Sequence, residues 1–252
     1  MEGRLLVSEV FGPTFQGEGK HTGRLAAFVR LGGCNLHCWW CDTPYTWVFD
    51  DRHANMHRSK QKFDPREELV RMWPDEIIEH IRDILPSGGL VVFSGGEPML
   101  QQEGLFSVID GLYREVANQK HSEYFPEIET AGTIQPTGDL EHEGIQWNVS
   151  PKLEHSGNSE ELRYKPDVLR WFAETGDAMF KFVVQSEGDL LEVEALVNAC
   201  GIKQHQVWIM PEGTTADLVT QRMKYLAGPV LERGWNLTTR LHTLIWEDLR
   251  GH

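Results

Sequence analysis

The stretch Cys34-Asn35-Leu36-His37-Cys38-Trp39-Trp40-Cys41 decides the reading of this chain. Three of the four cysteines stand here, spaced C-x3-C-x2-C, and Cys200 stands apart at the end of an apolar helical pattern. Thiolates are soft ligands suited to iron–sulfur clusters or to zinc. Three close thiolates on one loop can hold three corners of a cubane. The remaining iron then has no protein ligand and stays open to a small molecule, as a catalytic cluster requires. Trp39 and Trp40 are placed to shield such a cluster from water. A zinc site of three cysteines with His37 or a distant histidine is the alternative. A disulfide framework would spread its cysteines and need an oxidising compartment, so the clustering points to metal. Cys200 reads as a buried core thiol.

Outward from the cysteines, short apolar runs alternate with helical patterns. Ala26–Leu31 reads as a strand running into the cysteine loop, and Leu90–Phe93 as a buried strand ending in Gly95-Gly96. Further strands are expected at Glu127–Thr130, Gln146–Val149, Phe180–Val184 and Gln206–Met210. Between them, Ile77, Ile78, Ile81, Ile84 and Leu85 recur at helix spacing behind Pro74, as do Leu105 to Leu112 and Leu190 to Val197. A last helix around Leu218, Met223 and Leu226 is expected to end before Gly228-Pro229. This alternation implies an α/β fold with a parallel sheet, closed or partly closed by crossover helices. Polar clusters at the strands' C-terminal ends mark the site in such folds. Residues 50–68 break the rhythm: dense in charge and histidine, they read as an inserted mobile loop, with His53 and His57 on a solvated face.

The chain carries a formal net charge of −14 over 252 residues. Such an acidic protein is not built to follow a phosphate backbone, which argues against nucleic acid as a partner. No apolar run is long enough to span a bilayer and the N-terminus has no signal-peptide pattern, so a cytoplasmic protein off the membrane is expected. Residues 1–252 read as one domain with the insertion at 50–68.

With an aromatic residue just before its last cysteine, the cysteine motif resembles the signature of radical S-adenosylmethionine (SAM) enzymes. Ser94-Gly95-Gly96-Glu97-Pro98 is similar to the superfamily's GGE motif. Phe15-Gln16-Gly17-Glu18-Gly19, Cys41-Asp42-Thr43, Glu129-Thr130-Ala131-Gly132-Thr133, Ser150-Pro151-Lys152 and Arg240-Leu241-His242 together resemble the 7-carboxy-7-deazaguanine synthases, from about Val7 to about Trp246. The resemblance implies a partial (β/α)6 TIM-like barrel of about six parallel strands. It also implies conversion of 6-carboxy-5,6,7,8-tetrahydropterin to 7-carboxy-7-deazaguanine with loss of ammonia, in queuosine-precursor biosynthesis. A 4Fe-4S cluster, SAM, Mg2+, an electron donor such as flavodoxin and a homodimer belong to the same expectation. Rival readings are a glycyl-radical activating enzyme and a zinc-stabilised binding module.

The resemblance places Cys34, Cys38 and Cys41 on the cluster, with Trp40 and Asp42 beside it. It places Gly96, Glu97, Ser150, Lys152 and Met210-Pro211-Glu212-Gly213 around SAM. Thr43 is the expected Mg2+ ligand, a hard oxygen for a hard cation. On the substrate side stand Phe15, Gln16, Gly17, Glu18, Arg30, Ser94 and His242. A carboxylate calls for a fork-shaped cation, which Arg30 supplies; an edge of N–H donors calls for acceptors, which Glu18 supplies. Two positions depart from the family pattern: Ser94 stands where Thr is common, and Ala131 where Asn is frequent.

Overall fold

Each apolar run of the parallel pattern becomes a strand in the computed structural model, which describes residues 3–118, 123–140, 144–176, 178–247 and 249–251. Strands β2 (Leu25–Leu31), β4 (Gly88–Gly95), β5 (Glu123–Thr130), β6 (Gln146–Val149), β7 (Met179–Val184) and β8 (Val207–Pro211) lie side by side in chain order. Every neighbouring pair among them is parallel. The two-residue β9 (Asn236–Leu237) extends the row beyond β8. At the other edge, β1 (Leu5–Phe15) pairs antiparallel with β2, and β3 (Val70–Met72) antiparallel with β1. The sheet runs from β3 to β9 with no pairing between its two edges among the described residues, so the barrel is partial and open. The sequence pattern does not announce β1: its run is interrupted at Gly12-Pro13, and its register against β2 shifts between Phe11 and Thr14.

Leu90 to Phe93 are wholly buried, as a strand covered on both faces requires. Helix α3 (Pro74–Ile84) starts at a proline, and its Glu76 side chain accepts from the Trp73 N–H at 2.6 Å. Its Ile77, Ile78 and Ile81 turn inward. Helices α4 (Gln102–Asn118), α6 (Pro166–Glu174) and α7 (Glu187–Cys200) add to the same main core, which also holds Cys200. Helix α8 (Ala216–Glu232) does not stop before Gly228-Pro229 but carries Pro229 in its last turn.

Residues 50–68 form a folded cover. They contain α1 (Asp51–Met56), capped by Asp50, and α2 (Pro65–Glu68), capped by Asp64. The expectation of a solvated face fails for His57, which is 2% exposed. Its Nδ1 accepts from the Ser59 N–H at 3.2 Å, so Nε2 carries the proton and donates to the Cys41 carbonyl at 2.8 Å. The Arg58 N–H donates to the Trp39 carbonyl at 3.0 Å, and its side chain reaches Glu212 beyond β8 at 3.0 Å. The insertion therefore straps the cysteine loop to the far side of the sheet. Short α5 (Glu160–Arg163) and α9 (Leu241–Trp246) complete the α-helices among the described residues, and no helix there is long and apolar enough to cross a membrane.

Candidate active site

Parallel strands in chain order bring their C-terminal ends to one rim, and the cysteine loop, the GGE turn and the stretches after β5, β6 and β8 follow those ends, whereas the Phe15 motif follows antiparallel β1 beside the start of β2. A cavity opens there. Of the expected residues, Phe15, Gln16, Glu18, Arg30, Cys34, Cys38, Trp40, Cys41, Asp42, Thr43, Ser94, Gly96, Ser150, Lys152, Met210, Glu212 and His242 line it. Gly17, Glu97, Pro211 and Gly213 are not among its lining residues. Trp39 faces solvent, 45% exposed, with Lys60 Nζ 5.2 Å from its ring centre, and does not shield the cavity as expected.

The three cysteines enter the cavity as free thiols, each meeting an N–H donor. Leu36 N–H donates to Cys34 Sγ at 3.4 Å, Asn158 Nδ2 to Cys38 Sγ at 3.2 Å, and Trp47 Nε1 to Cys41 Sγ at 3.4 Å. Burial pushes all three thiols up, Cys38 to about 11, although Lys152 and the Asn158 donor pull against it. Loading a metal centre therefore displaces protons. Three thiols, Cys38 buried and Cys34 and Cys41 half-buried, with N–H···S contacts beside an open space fit an iron–sulfur cluster. They fit a Cys3His zinc site poorly: His37 lies outside the cavity, stacked on His53 at 4.7 Å between ring centres.

The GGE turn supports this loop more than it presents a carboxylate. Gly95 and Gly96 line the cavity, but Glu97 is fully buried. Glu97 accepts from Met99 N–H at 3.1 Å, Thr130 Oγ1 at 2.7 Å and Ala131 N–H at 2.8 Å. Burial raises its pKa, against these donors. Its side chain ties the end of β4 to the end of β5. The Ala131 contact runs through the backbone, so it survives the departure from the family's residue there.

Opposite the cysteines lies a buried ionic group. Glu18 pairs with Lys181, with Arg240 Nε at 3.1 Å and more distantly with His242 at 3.9 Å; Lys181 also stands 3.5 Å from Glu129. Burial opposes the Glu18 charge, yet Lys181 and Arg240 outweigh it and hold the carboxyl well below its usual range. Asp42, exposed at the edge of this group, pairs with Arg240, which lowers its pKa. Burial raises Glu129 despite Lys181. His242 is pushed down to about 4, chiefly by burial, and is neutral near pH 7. Gln16 orients the carboxylates: its amide nitrogen donates to Glu127 and, at 3.4 Å, to Glu129, while its oxygen accepts from the Glu18 N–H at 3.1 Å. A Cβ on Gly17 would lie 2.0 Å from His242 Nδ1, so Gly17 serves by letting His242 approach.

Lys181 carries this group and has no place among the motifs; Glu129 opens a motif stretch but carries no role there. Lys181 had a signal, as the one charge in the apolar run Phe180-Lys181-Phe182-Val183-Val184. Strand parity puts it and Val183 on the cavity side together, as it does Phe28 and Arg30 on β2. Parallel register sets Arg30 beside Ser94. Arg30 donates through Nε to Glu9 at 2.7 Å and lies near the Phe11 and Tyr45 rings. Elsewhere on the cavity wall, Lys152 Nζ donates to Ser150 Oγ at 2.9 Å above the Trp40 ring. Glu212 is engaged by Arg58 and Arg222. Thr43 Oγ1 sits 3.5 Å from Cys41 Sγ at the cavity wall.

A loop of three cysteines at the rim of a partial barrel defines the class, and comparison with known proteins agrees. The radical SAM superfamily matches residues 28–190. The 7-carboxy-7-deazaguanine synthase of Pyrobaculum aerophilum is 32% identical over 98% of this chain and 97% of its own length. That of Rhodopirellula baltica is 29% identical, covering 99% of this chain and 90% of its own. The crystal structure of QueE from Escherichia coli covers 95% of both chains with a TM-score of 0.64 at 22% identity, which establishes a shared fold. The chain thus belongs to the radical SAM superfamily and, within it, to the 7-carboxy-7-deazaguanine synthase family.

Proposed function

We propose that this chain is a radical SAM lyase converting 6-carboxy-5,6,7,8-tetrahydropterin to 7-carboxy-7-deazaguanine and ammonia, in the biosynthesis of queuosine precursors. The observation that carries this reading is a single cavity uniting the cysteine loop with a buried group of opposite charges around Glu18. When bound, the cluster and SAM supply one-electron cleavage and hydrogen abstraction. Cys34, Cys38 and Cys41 would hold the cluster. Ser150, Lys152, Met210 and the Gly95-Gly96 backbone would hold SAM, with Lys152 facing its carboxylate.

Arg30 binds the substrate carboxylate, keeping its Nε on Glu9 and offering the rest of its fork. Glu18 and Glu129 accept from the pterin's N–H edge. Lys181 Nζ keeps its proton between them and so fixes Glu18 as an anion. Neutral His242 adds a polar contact without further charge. Trp40, Tyr45 and Trp47 exclude water from the wall near the cysteines. Mg2+ belongs to the same reading, with the Thr43 hydroxyl as its protein ligand and substrate and water completing its oxygen shell. An external one-electron donor such as flavodoxin, a homodimer, a cytoplasmic location and a single catalytic domain with a covering insertion come with the resemblance.

The test is anaerobic incubation of the reconstituted protein with SAM, reductant, Mg2+ and the carboxypterin. A 7-deazapurine product with 5′-deoxyadenosine is expected. SAM cleavage with the pterin left intact would mean another substrate.

A further inference from the structure

Two side chains outside every motif touch the sulfur of a cluster ligand: Trp47 on Cys41, six residues away, and Asn158 on Cys38, far away in sequence. Asn158 lies in the loop after β6, 120 residues from Cys38, and is 9% exposed. Its Oδ1 accepts from the His37 N–H at 2.8 Å. A backbone donor there fixes the amide's orientation: oxygen on His37, nitrogen on the other side. Nδ2 then donates to Cys38 Sγ at 3.2 Å and to Ser156 Oγ at 3.2 Å. The same loop accepts from the Trp39 N–H through the Ser156 carbonyl at 2.8 Å. His155 Nδ1 also accepts a hydrogen bond from Trp40 Nε1–H at 2.9 Å. Residues 155–158 thus clamp His37, Cys38, Trp39 and Trp40, and the Asn158 contact is the one aimed at sulfur.

We propose that Asn158 is a positioning residue for the cluster: its amide, oriented by the His37 N–H, aims Nδ2–H at Cys38 Sγ and makes the cluster easier to reduce. The inference rests on the reading that Cys34, Cys38 and Cys41 hold a 4Fe-4S cluster. Adding an electron increases negative charge on the sulfur ligands. An N–H dipole aimed at Sγ stabilises the reduced state more than the oxidised one, all the more in a dry site. In Asn158→Asp, an isosteric change, a carboxylate oxygen faces the sulfur and reverses the effect. Asn158→Ala removes the donor without adding charge.

The experiment is a redox titration of the anaerobically reconstituted holoprotein, followed by electron paramagnetic resonance, after counting iron and sulfide. Asn35→Ala is the control, because the Asn35 amide in the same loop donates to Thr133 Oγ1. At the poise where wild type is half reduced, the reduced-to-oxidised ratio should fall about threefold in Asn158→Ala and about tenfold in Asn158→Asp, the latter being 59 mV for one electron. Asn35→Ala should titrate with wild type. Unchanged potentials in both Asn158 variants overturn the proposal, as does an equal shift in Asn35→Ala. Loss of iron from both Asn158 variants also overturns it, leaving Asn158 only a structural anchor. A wild-type protein that takes up no four-iron cluster would defeat the cluster reading itself.

Discussion

A Cβ on Gly96 would stand 1.7 Å from the carbonyl oxygen of Gly33, and the next residue, Glu97, donates its N–H to that same oxygen at 2.8 Å. The GGE turn and the cysteine loop are therefore in backbone contact, and only glycine fits between them. We expect Gly96→Ala to cost about 2–4 kcal/mol and to impair cluster loading. Gly228, within α8, has open space where a Cβ would stand; it should tolerate alanine or gain roughly 0.5–1 kcal/mol from it. Thermal unfolding and iron content of the two variants check the pair.

Each of Cys34→Ala, Cys38→Ala and Cys41→Ala should lose the cluster and SAM cleavage, since all three thiols enter one cavity. Cys200→Ala should keep both, because Cys200 packs in the core near the Tyr164 hydroxyl. Iron counts and 5′-deoxyadenosine yields read the outcome. Full iron in Cys38→Ala would sink the ligand assignment.

Arg30→Ala should lower kcat/KM for the carboxypterin roughly 30- to 1000-fold, the cost of a charge-assisted contact of about 2–4 kcal/mol. Arg30→Lys should recover part of it, keeping the charge without the fork. SAM binding should persist in both. Wild-type turnover in Arg30→Ala would assign the carboxylate to another group, and loss of SAM binding would make Arg30 a support for the cofactor.

His242 links the site to pH. Its pKa is lowered from 6.5 to about 4, chiefly by burial. Between those values the unfolded chain binds a proton that the folded protein does not, so stability rises with pH and falls on acidification. From pH 7 to pH 5 this residue alone should remove about 2 kcal/mol. His242→Gln should flatten that part of the stability curve. Denaturant unfolding of both proteins at the two pH values decides it; parallel losses would show that other groups dominate.

Thr43→Ala should weaken Mg2+ dependence and slow turnover while leaving iron content unchanged. The hydroxyl lies at the cavity wall and makes no cap contact for the turn it precedes. Coincident Mg2+ titrations for variant and wild type would make Thr43 a turn residue.

Chemistry that depends on spacing is legible in the chain before it folds. Three thiols within eight residues need no tertiary partner to be recognised as a metal loop, and the apolar runs of β2 and β4 to β8 announce a parallel sheet through local composition. Which charges meet depends on the fold. Lys181 finds Glu18 across 163 residues, and Asn158 finds Cys38 across 120. Such partners follow from strand order and register, which no local window contains. The same holds for Glu97, whose motif suggested a ligand-facing carboxylate. The neighbouring end of β5 supplies it with buried donors instead. It holds for His57 too, polar in sequence yet buried, because only the folded insertion brings it under the cysteine loop to donate to the Cys41 carbonyl.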